Sequence, residues 1–197
     1  MLKTFTFSGS HCVGKTTLIN TVSSLSEIAR TTKVLTSNST DLKLLEGVSL
    51  ETRQVLLVQR ELEMLLEIER VKREIHNERD AVILKDRSIL DTLIYSKYFV
   101  EQGKLSKVIY TQIENASENI LSRYDRIFIL PVVDSIKFVE RDKFSMELES
   151  RQRISDLFLE FVTDSKLRNI TLLDNGDLTF RADKVLEVIE NSFSEEI

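Results

Sequence analysis

The sequence predicts a layered α/β fold, a parallel sheet with helices packed on its faces. Short runs rich in Val, Ile, Leu, Phe and Thr alternate with long segments whose apolar residues recur every three or four positions, the signature of strands joined by crossover helices. The first such run ends in a glycine-containing turn that leads straight into a periodic segment. With only five glycines and one proline in 197 residues, nothing reads as a linker, repeat or low-complexity break. Residues 1–197 are therefore expected to form one domain, long enough to bury a real core.

The elements follow in order. Lys3–Ser8 reads as the first strand and Lys15–Arg30 as the first helix, with Thr32–Thr36 the next strand. Leu50–Asn77 is a long helix on which Val55, Val58, Leu62, Leu65, Ile68, Val71 and Ile75 make one apolar stripe, leaving Glu61, Glu63, Glu67, Arg70 and Arg73 as a solvated charged face. Ala81–Lys85 reads as a buried strand. Ile89–Gln102 is a helix, and Gly103 follows it as a C-cap glycine would. Leu105–Ser122 is the next helix, and Pro131 closes the strand Arg126–Leu130. Met146–Lys166, the strand Ile170–Leu173 and the helix Arg181–Ser192 complete the chain.

The turn after the first strand carries Gly9-Ser10-His11-Cys12-Val13-Gly14-Lys15-Thr16, the pattern G-x-x-x-x-G-K-[ST] between a strand and a helix. Its glycines let the backbone turn sharply, so that successive N–H groups aim at a phosphate. The helix that follows, opening with Thr17, adds uncapped donors and the positive end of a dipole. In that arrangement Lys15 reaches the β- and γ-phosphates and the Thr16 hydroxyl ligates Mg²⁺. Residues 9–17 are thus expected to bind a nucleoside triphosphate. Cys12, the sole cysteine, sits among N–H groups that favour a thiolate, but its simpler role is a spacer whose backbone matters more than its sulfur.

Composition narrows the partners. The chain is 42% hydrophobic and 30% charged, with a formal net charge of −5, which speaks against a nucleic-acid surface as its main business. One cysteine rules out an internal disulfide, and no Cys/His metal cluster exists. No apolar run approaches the length of a membrane span, and Met-Leu-Lys leads directly into a strand, so the expected setting is cytoplasmic.

In an open parallel sheet, ligands bind beyond the carboxyl ends of the strands. Ala81–Lys85 delivers Asp86-Arg87-Ser88 to that edge. A carboxylate there can accept a proton from an attacking hydroxyl or orient a magnesium-bound water, and a guanidinium can hold an acceptor oxygen in a fixed fork. The plainer alternative is a helix N-cap with a neighbouring charge. Asp125 precedes its strand and so lies at the wrong end of the sheet for catalysis.

Asp86-Arg87-Ser88-Ile89-Leu90-Asp91, with Tyr95 and Phe99 beyond, resembles the Asp-Arg or Glu-Arg-Ser motif of thymidylate kinases and deoxynucleoside kinases. Together with the phosphate loop, Thr36-Ser37-Asn38-Ser39-Thr40 and the Tyr124–Pro131 segment, the chain is also similar to phage and bacterial proteins grouped with the nicotinamide riboside kinase domain. The resemblance implies a three-layer P-loop NTPase fold with a five-stranded parallel sheet in the order 2-3-1-4-5. It implies transfer of the γ-phosphoryl group of ATP, with Mg²⁺, to a small nucleoside or nucleoside monophosphate, as a thymidylate-kinase-like enzyme would. A nucleoside or nicotinamide riboside kinase is the alternative. In this reading Lys15, Asp86 and Arg87 are catalytic, Arg87 also binds the acceptor, and Thr16 and Asp86 hold the metal.

The resemblance also implies a lid at about residues 132–153, with Arg141 and Arg151 as its mobile cations. Arg53, Gln54 and Gln59 on the long helix are candidates for holding the acceptor, and Asp174-Asn175-Gly176-Asp177 leaves the last strand on the ligand edge. The partners are then a triphosphate donor and a small acceptor, with no nucleic acid, no membrane and a homodimer as an allowed assembly. A GTPase is disfavoured because no Asn-Lys-x-Asp sequence occurs and no Asp-x-x-Gly follows a strand. A mechanochemical ATPase lacks the expected second acidic residue and small helical domain. A kinase of polynucleotide ends lacks a basic, aromatic groove.

Overall fold

The computed structural model describes residues 2–25, 32–36, 47–74, 81–132, 148–173 and 177–194. Strands β1 (Leu2–Gly9), β2 (Thr32–Thr36), β3 (Ala81–Asp86), β4 (Arg126–Leu130) and β5 (Ile170–Leu172) form one sheet in the order β2-β3-β1-β4-β5, the order expected. Every pairing is parallel. Among the described residues the helices are α1 (Lys15–Leu25), α2 (Leu50–Glu74), α3 (Ile89–Glu101), α4 (Lys107–Leu121), α5 (Leu148–Asp164) and α6 (Leu178–Ser194).

Alternation along the strands builds two cores. Phe5, Phe7, Val82, Leu84 and Phe128 meet Leu18, Ile19 and Val22 of α1 and Ala182, Val185 and Ile189 of α6. Phe7 stacks on Phe128 with ring centroids 5.2 Å apart. On the opposite face Ile83, Ile127 and Ile129 meet the buried sides of α2, α3, α4 and α5. Register then sets the ligand edge. Phe7 pairs with Asp86, Thr36 pairs with Asp86, and Gly9 pairs with Leu130, so the first loop and the end of β3 emerge side by side.

Helix starts are set by side-chain caps. Ser88 accepts from Leu90 N while Asp91 accepts from Ser88 N, a reciprocal capping box that opens α3. Ser106 caps α4, which therefore starts at Lys107 and not Leu105. Asp177 accepts from Phe180 N, so α6 starts at Leu178, three residues before the expected Arg181. Gly103, with φ of 65°, follows α3 in the left-handed conformation expected of it.

The stripe expected on α2 is only half correct. Leu65, Ile68 and Val71 are buried, but Val55 and Leu62 are 46% and 47% exposed. The inward line of the first half runs instead through Gln54 and Glu61, both buried. Glu61 therefore does not belong to the solvated face. The phase was misread because polar side chains occupy inward positions there, each with a buried partner. Gln54 accepts from Ser96 Oγ at 2.9 Å, and Glu61 meets Lys85.

Candidate active site

The loop at the end of β1 is folded by three constraints. Val13, 1% exposed, anchors it in the core with α1 and α6. Cys12 and Gly14 take φ of 57° and 87°, reversing the chain so that it enters α1. Gly9, at φ of 150°, passes so close to β4 that a Cβ would lie 2.3 Å from Leu130 O, so only glycine fits. Leu18 N donates to Gly14 O and closes the first helical turn.

Lys15 is buried at the first position of α1, and its Nζ donates to Gly9 O and Ser10 O at 2.8 Å each. Burial, helped by the Arg87 charge, pulls its pKa down to about 8 against the opposing pull of Asp91 and Asp86. Two arginines from helices distant in sequence hold the loop backbone. Arg151 of α5 donates from Nε to His11 O at 3.0 Å and from Nη2 to Cys12 O at 3.2 Å. Arg181 of α6 lies 3.4 Å from Val13 O through Nη1. Three consecutive carbonyls thus face buried guanidinium groups.

Asp86-Arg87-Ser88 stands beside this loop. Thr16 Oγ1 donates to Asp86 Oδ2 at 2.6 Å, which brings together the two residues expected to hold a metal. Asp86 Oδ1 is buried and has no hydrogen-bond partner among the described residues. A hydroxyl and a carboxylate are hard oxygen donors, so the pair fits Mg²⁺. No group of three or more His, Cys, Asp or Glu gathers among the described residues, so a cation here would draw its remaining ligands from water and nucleotide oxygens.

Arg87 adopts φ of 71°, an uncommon conformation for a residue with a Cβ. Its N–H donates to Phe7 O at 3.0 Å and its carbonyl accepts from Lys85 Nζ at 2.6 Å. Burial opposes its charge, but Asp91, Tyr95 and Asp86 more than compensate and hold its pKa above the usual value. Tyr95 is held protonated, with its pKa raised, chiefly by burial. Its ring meets His11 edge-on at 5.3 Å between centroids. Burial, then Arg87 and Lys15, lower the His11 pKa to about 4, so the imidazole is neutral at pH 7.

The structure thus brings together Gly9, Ser10, His11, Cys12, Val13, Gly14, Lys15, Thr16 and Thr17 with Asp86, Arg87 and Arg151. Arg151 was expected as a mobile, exposed lid cation. It is 6% exposed and bonded to the loop backbone, because its place on the first turn of α5 brings it against the His11 and Cys12 carbonyls. Arg141, most of the lid segment and Asp174-Asn175-Gly176 lie outside the described residues. Gln54 is buried against Ser96, and Arg53 is half-buried beside it. Gln59 is instead exposed and turned along the helix to Glu63. Asp125 sits at the far end, where it accepts from Thr4 N at 2.7 Å.

Several residues of this neighbourhood escaped the sequence reading. Asp91 accepts from Gly9 N at 3.4 Å as well as from Ser88 N, tying the loop to α3. Its spacing from Ser88 is a capping-box signal that was available. Lys85 was readable only as a charge in an apolar strand, and nothing in the local pattern around Arg181 marks it.

A family model of the AAA domain matches residues 4–180. No curated protein sequence matches the chain significantly. Among solved structures, deoxyadenosine kinase from M. mycoides, with dCMP and a flexible dCDP bound, is similar at a TM-score of 0.69 and 13% identity, over 95% of this chain and 99% of that one. Thymidylate kinase from Ehrlichia chaffeensis is similar at 0.67 and 20% identity, over 95% and 98%. NadR in complex with NR is similar at 0.61 and 18% identity, over 94% of this chain and 51% of that one. No described helix is long and apolar enough to cross a membrane. The chain belongs to the AAA domain family, and its nucleotide-binding phosphate loop is set in the fold shared with nucleoside and nucleotide kinases.

Proposed function

We propose that this protein transfers the γ-phosphoryl group of ATP to a small nucleoside or nucleoside monophosphate, with a deoxynucleoside monophosphate such as dTMP as the favoured acceptor. The observation that carries the reading is the pairing of two elements at one sheet edge. A phosphate loop with a buried lysine lies in direct hydrogen-bond contact with an Asp-Arg turn, through Thr16 and Asp86. Thr16 and Asp86 would serve Mg²⁺ in any protein that holds ATP, so it is the strained Arg87 beside them that supports an acceptor as well as a donor.

The loop amides and Lys15 bind the donor phosphates, and Lys15 stabilises the charge that develops on the transferred group. Mg²⁺ would be held by Thr16 and Asp86, and when bound it neutralises phosphate charge. Asp86 orients the attacking hydroxyl or accepts its proton. Arg87 holds the acceptor in a fixed fork, with Tyr95 and His11 as the neutral wall beside it, and Arg53 and Gln54 are the candidates on α2 for contacting the acceptor. In this reading residues 1–197 make one domain, Arg141 of the expected lid at about 132–153 is the candidate for a mobile cation, and Arg151 fixes the phosphate loop.

Nicotinamide riboside is the second acceptor, supported by the fold shared with NadR in complex with NR. The test is ADP release from ATP and Mg²⁺ with a panel of nucleosides, nucleoside monophosphates and nicotinamide riboside. Release that depends on one acceptor class is expected. ADP release that needs no acceptor would instead mark a plain ATPase.

A further inference from the structure

Beneath the Asp86-Arg87 turn, on the sheet face away from the phosphate loop, lies a buried polar trio. Lys85 is 1% exposed, yet it leaves β3 in the middle of the apolar face that also carries Ile83. Its ammonium bridges the two oxygens of Glu61 on α2, at 2.8 Å and 2.9 Å. Glu61 in turn accepts from the hydroxyl of Tyr124, whose ring Lys85 also approaches to 5.8 Å. The third bond of Lys85 is the informative one. Nζ donates to Arg87 O at 2.6 Å.

A buried ion pair is a poor way to stabilise a core, since apolar residues of similar volume do as well or better. What the trio provides is direction. Arg87 sits at φ of 71°, a strained conformation for a non-glycine residue that persists only where its surroundings over-determine it. Here its two flanking peptide units are each pinned, N–H to Phe7 O and C=O to Lys85 Nζ. Releasing the second pin lets the peptide rotate, and a rotation at the backbone swings a side chain as long as arginine by ångströms.

We infer that Lys85, Glu61 and Tyr124 are positioning residues that fix the left-handed backbone of Arg87, and so aim its guanidinium at the acceptor. The inference rests on the acceptor-binding role proposed for Arg87. It assigns the trio no contact with donor or acceptor. Glu61 and Tyr124 act through Lys85, and Lys85 acts through the Arg87 carbonyl.

The experiment separates aim from stability. In the triple variant Lys85→Met/Glu61→Leu/Tyr124→Phe no buried charge is left unpaired and only the Arg87 carbonyl loses its donor, so a folded protein with a modestly lowered melting temperature is expected. ATP binding by calorimetry without acceptor should be unchanged. Affinity for dTMP and kcat/KM for dTMP should fall by about 10², the scale of an ångström misplacement. A stably folded triple variant with wild-type dTMP affinity and kcat/KM would overturn the inference. Should the triple variant not fold, Glu61→Gln decides, because it keeps the shape and removes the charge that holds Lys85. The same selective loss toward dTMP, with ATP binding intact, is then expected, and unchanged dTMP kinetics would overturn the inference. Arg87→Ala is run beside them. If it leaves dTMP kinetics untouched, the role of Arg87 falls and the inference falls with it. If it impairs dTMP use while the trio variants do not, the inference falls alone.

Discussion

Asp86→Asn is the most discriminating change to the proposed chemistry, because it preserves volume and removes one charge from a crowded electrostatic set. Three effects follow from the geometry. Thr16 Oγ1 keeps an acceptor at the Oδ2 position, so the 2.6 Å contact survives in weaker form and the loop keeps its shape. Any basicity that Asp86 lends to an acceptor hydroxyl is lost, which is worth about 10²–10⁴ in turnover. Asp86 is also one of the groups that raise the Lys15 pKa against burial and Arg87. Without it, that pKa moves below about 8, and Lys15 loses its proton nearer neutrality. ATP affinity at pH 6.5 should therefore stay near wild type, since the amides and a protonated Lys15 remain. With rising pH it should begin to decline earlier in the variant than in the wild type, where the decline sets in near pH 8. Calorimetry of ATP binding from pH 6 to 9, beside ADP release with and without dTMP, reads both consequences. Full acceptor-dependent turnover in Asp86→Asn, with an unshifted pH profile, would refute both the catalytic role and the coupling to Lys15.

The remaining predictions concern the loop itself. Lys15→Ala should cost roughly 10²–10³ in turnover, the worth of a preorganised charge at the transferring phosphate, measured as initial rates at saturating ATP. Gly9→Ala places a Cβ 2.3 Å from the Leu130 carbonyl, so β1 and β4 must separate locally. A destabilisation of about 2–4 kcal/mol is expected by denaturant titration, together with weaker nucleotide binding. Neutral His11 has its folded pKa near 4, below the 6.5 of the unfolded chain. The unfolded state therefore binds the proton first, and stability is lost as pH falls from about 6.5 toward 4, a loss that His11→Asn should flatten in melts across that window. Arg151→Ala should lower stability and ATP affinity together, by about 1–3 kcal/mol of unfolding free energy, because it strips donors from the His11 and Cys12 carbonyls. A variant that lost only turnover would return Arg151 to the mobile lid first expected of it.

What was legible in the sequence is what local pattern can encode. The loop is a contiguous motif between a strand and a helix, and Asp86-Arg87 could be found because ligands collect where strands of a parallel sheet end. The strand order came from resemblance, since periodicity says which residues are strands and not which strands are neighbours. The polar interior was not legible. Hydrophobic periodicity treats Gln54 and Glu61 as surface by definition, so it shifted the inward face of α2 onto Val55 and Leu62, which lie half-exposed. An inward carboxylate can be recognised only once its partner is known, and Lys85 lies 24 residues away on a strand.

The same limit explains why Arg151 was misjudged and Arg181 missed. Their contacts with the phosphate loop span 140 and 168 residues of sequence, from helices that only the tertiary fold brings beside the loop. A charge near a presumed lid suggests a moving part. A guanidinium buried against consecutive loop carbonyls is a fixed one, and the distinction is chemical as well as structural. Carbonyls that already accept from a guanidinium are less free to turn toward a phosphate, so these cations favour the amide orientation that a bound anion requires. Arg151 and Arg181 at the loop, and Lys85 at the Arg87 turn, follow one pattern. In each case a buried cation donates to backbone carbonyls of a segment proposed to contact the ligand. The two halves of the site are thus held by the same physical device, and a variant that removes either brace should move ligand affinity before it abolishes the fold.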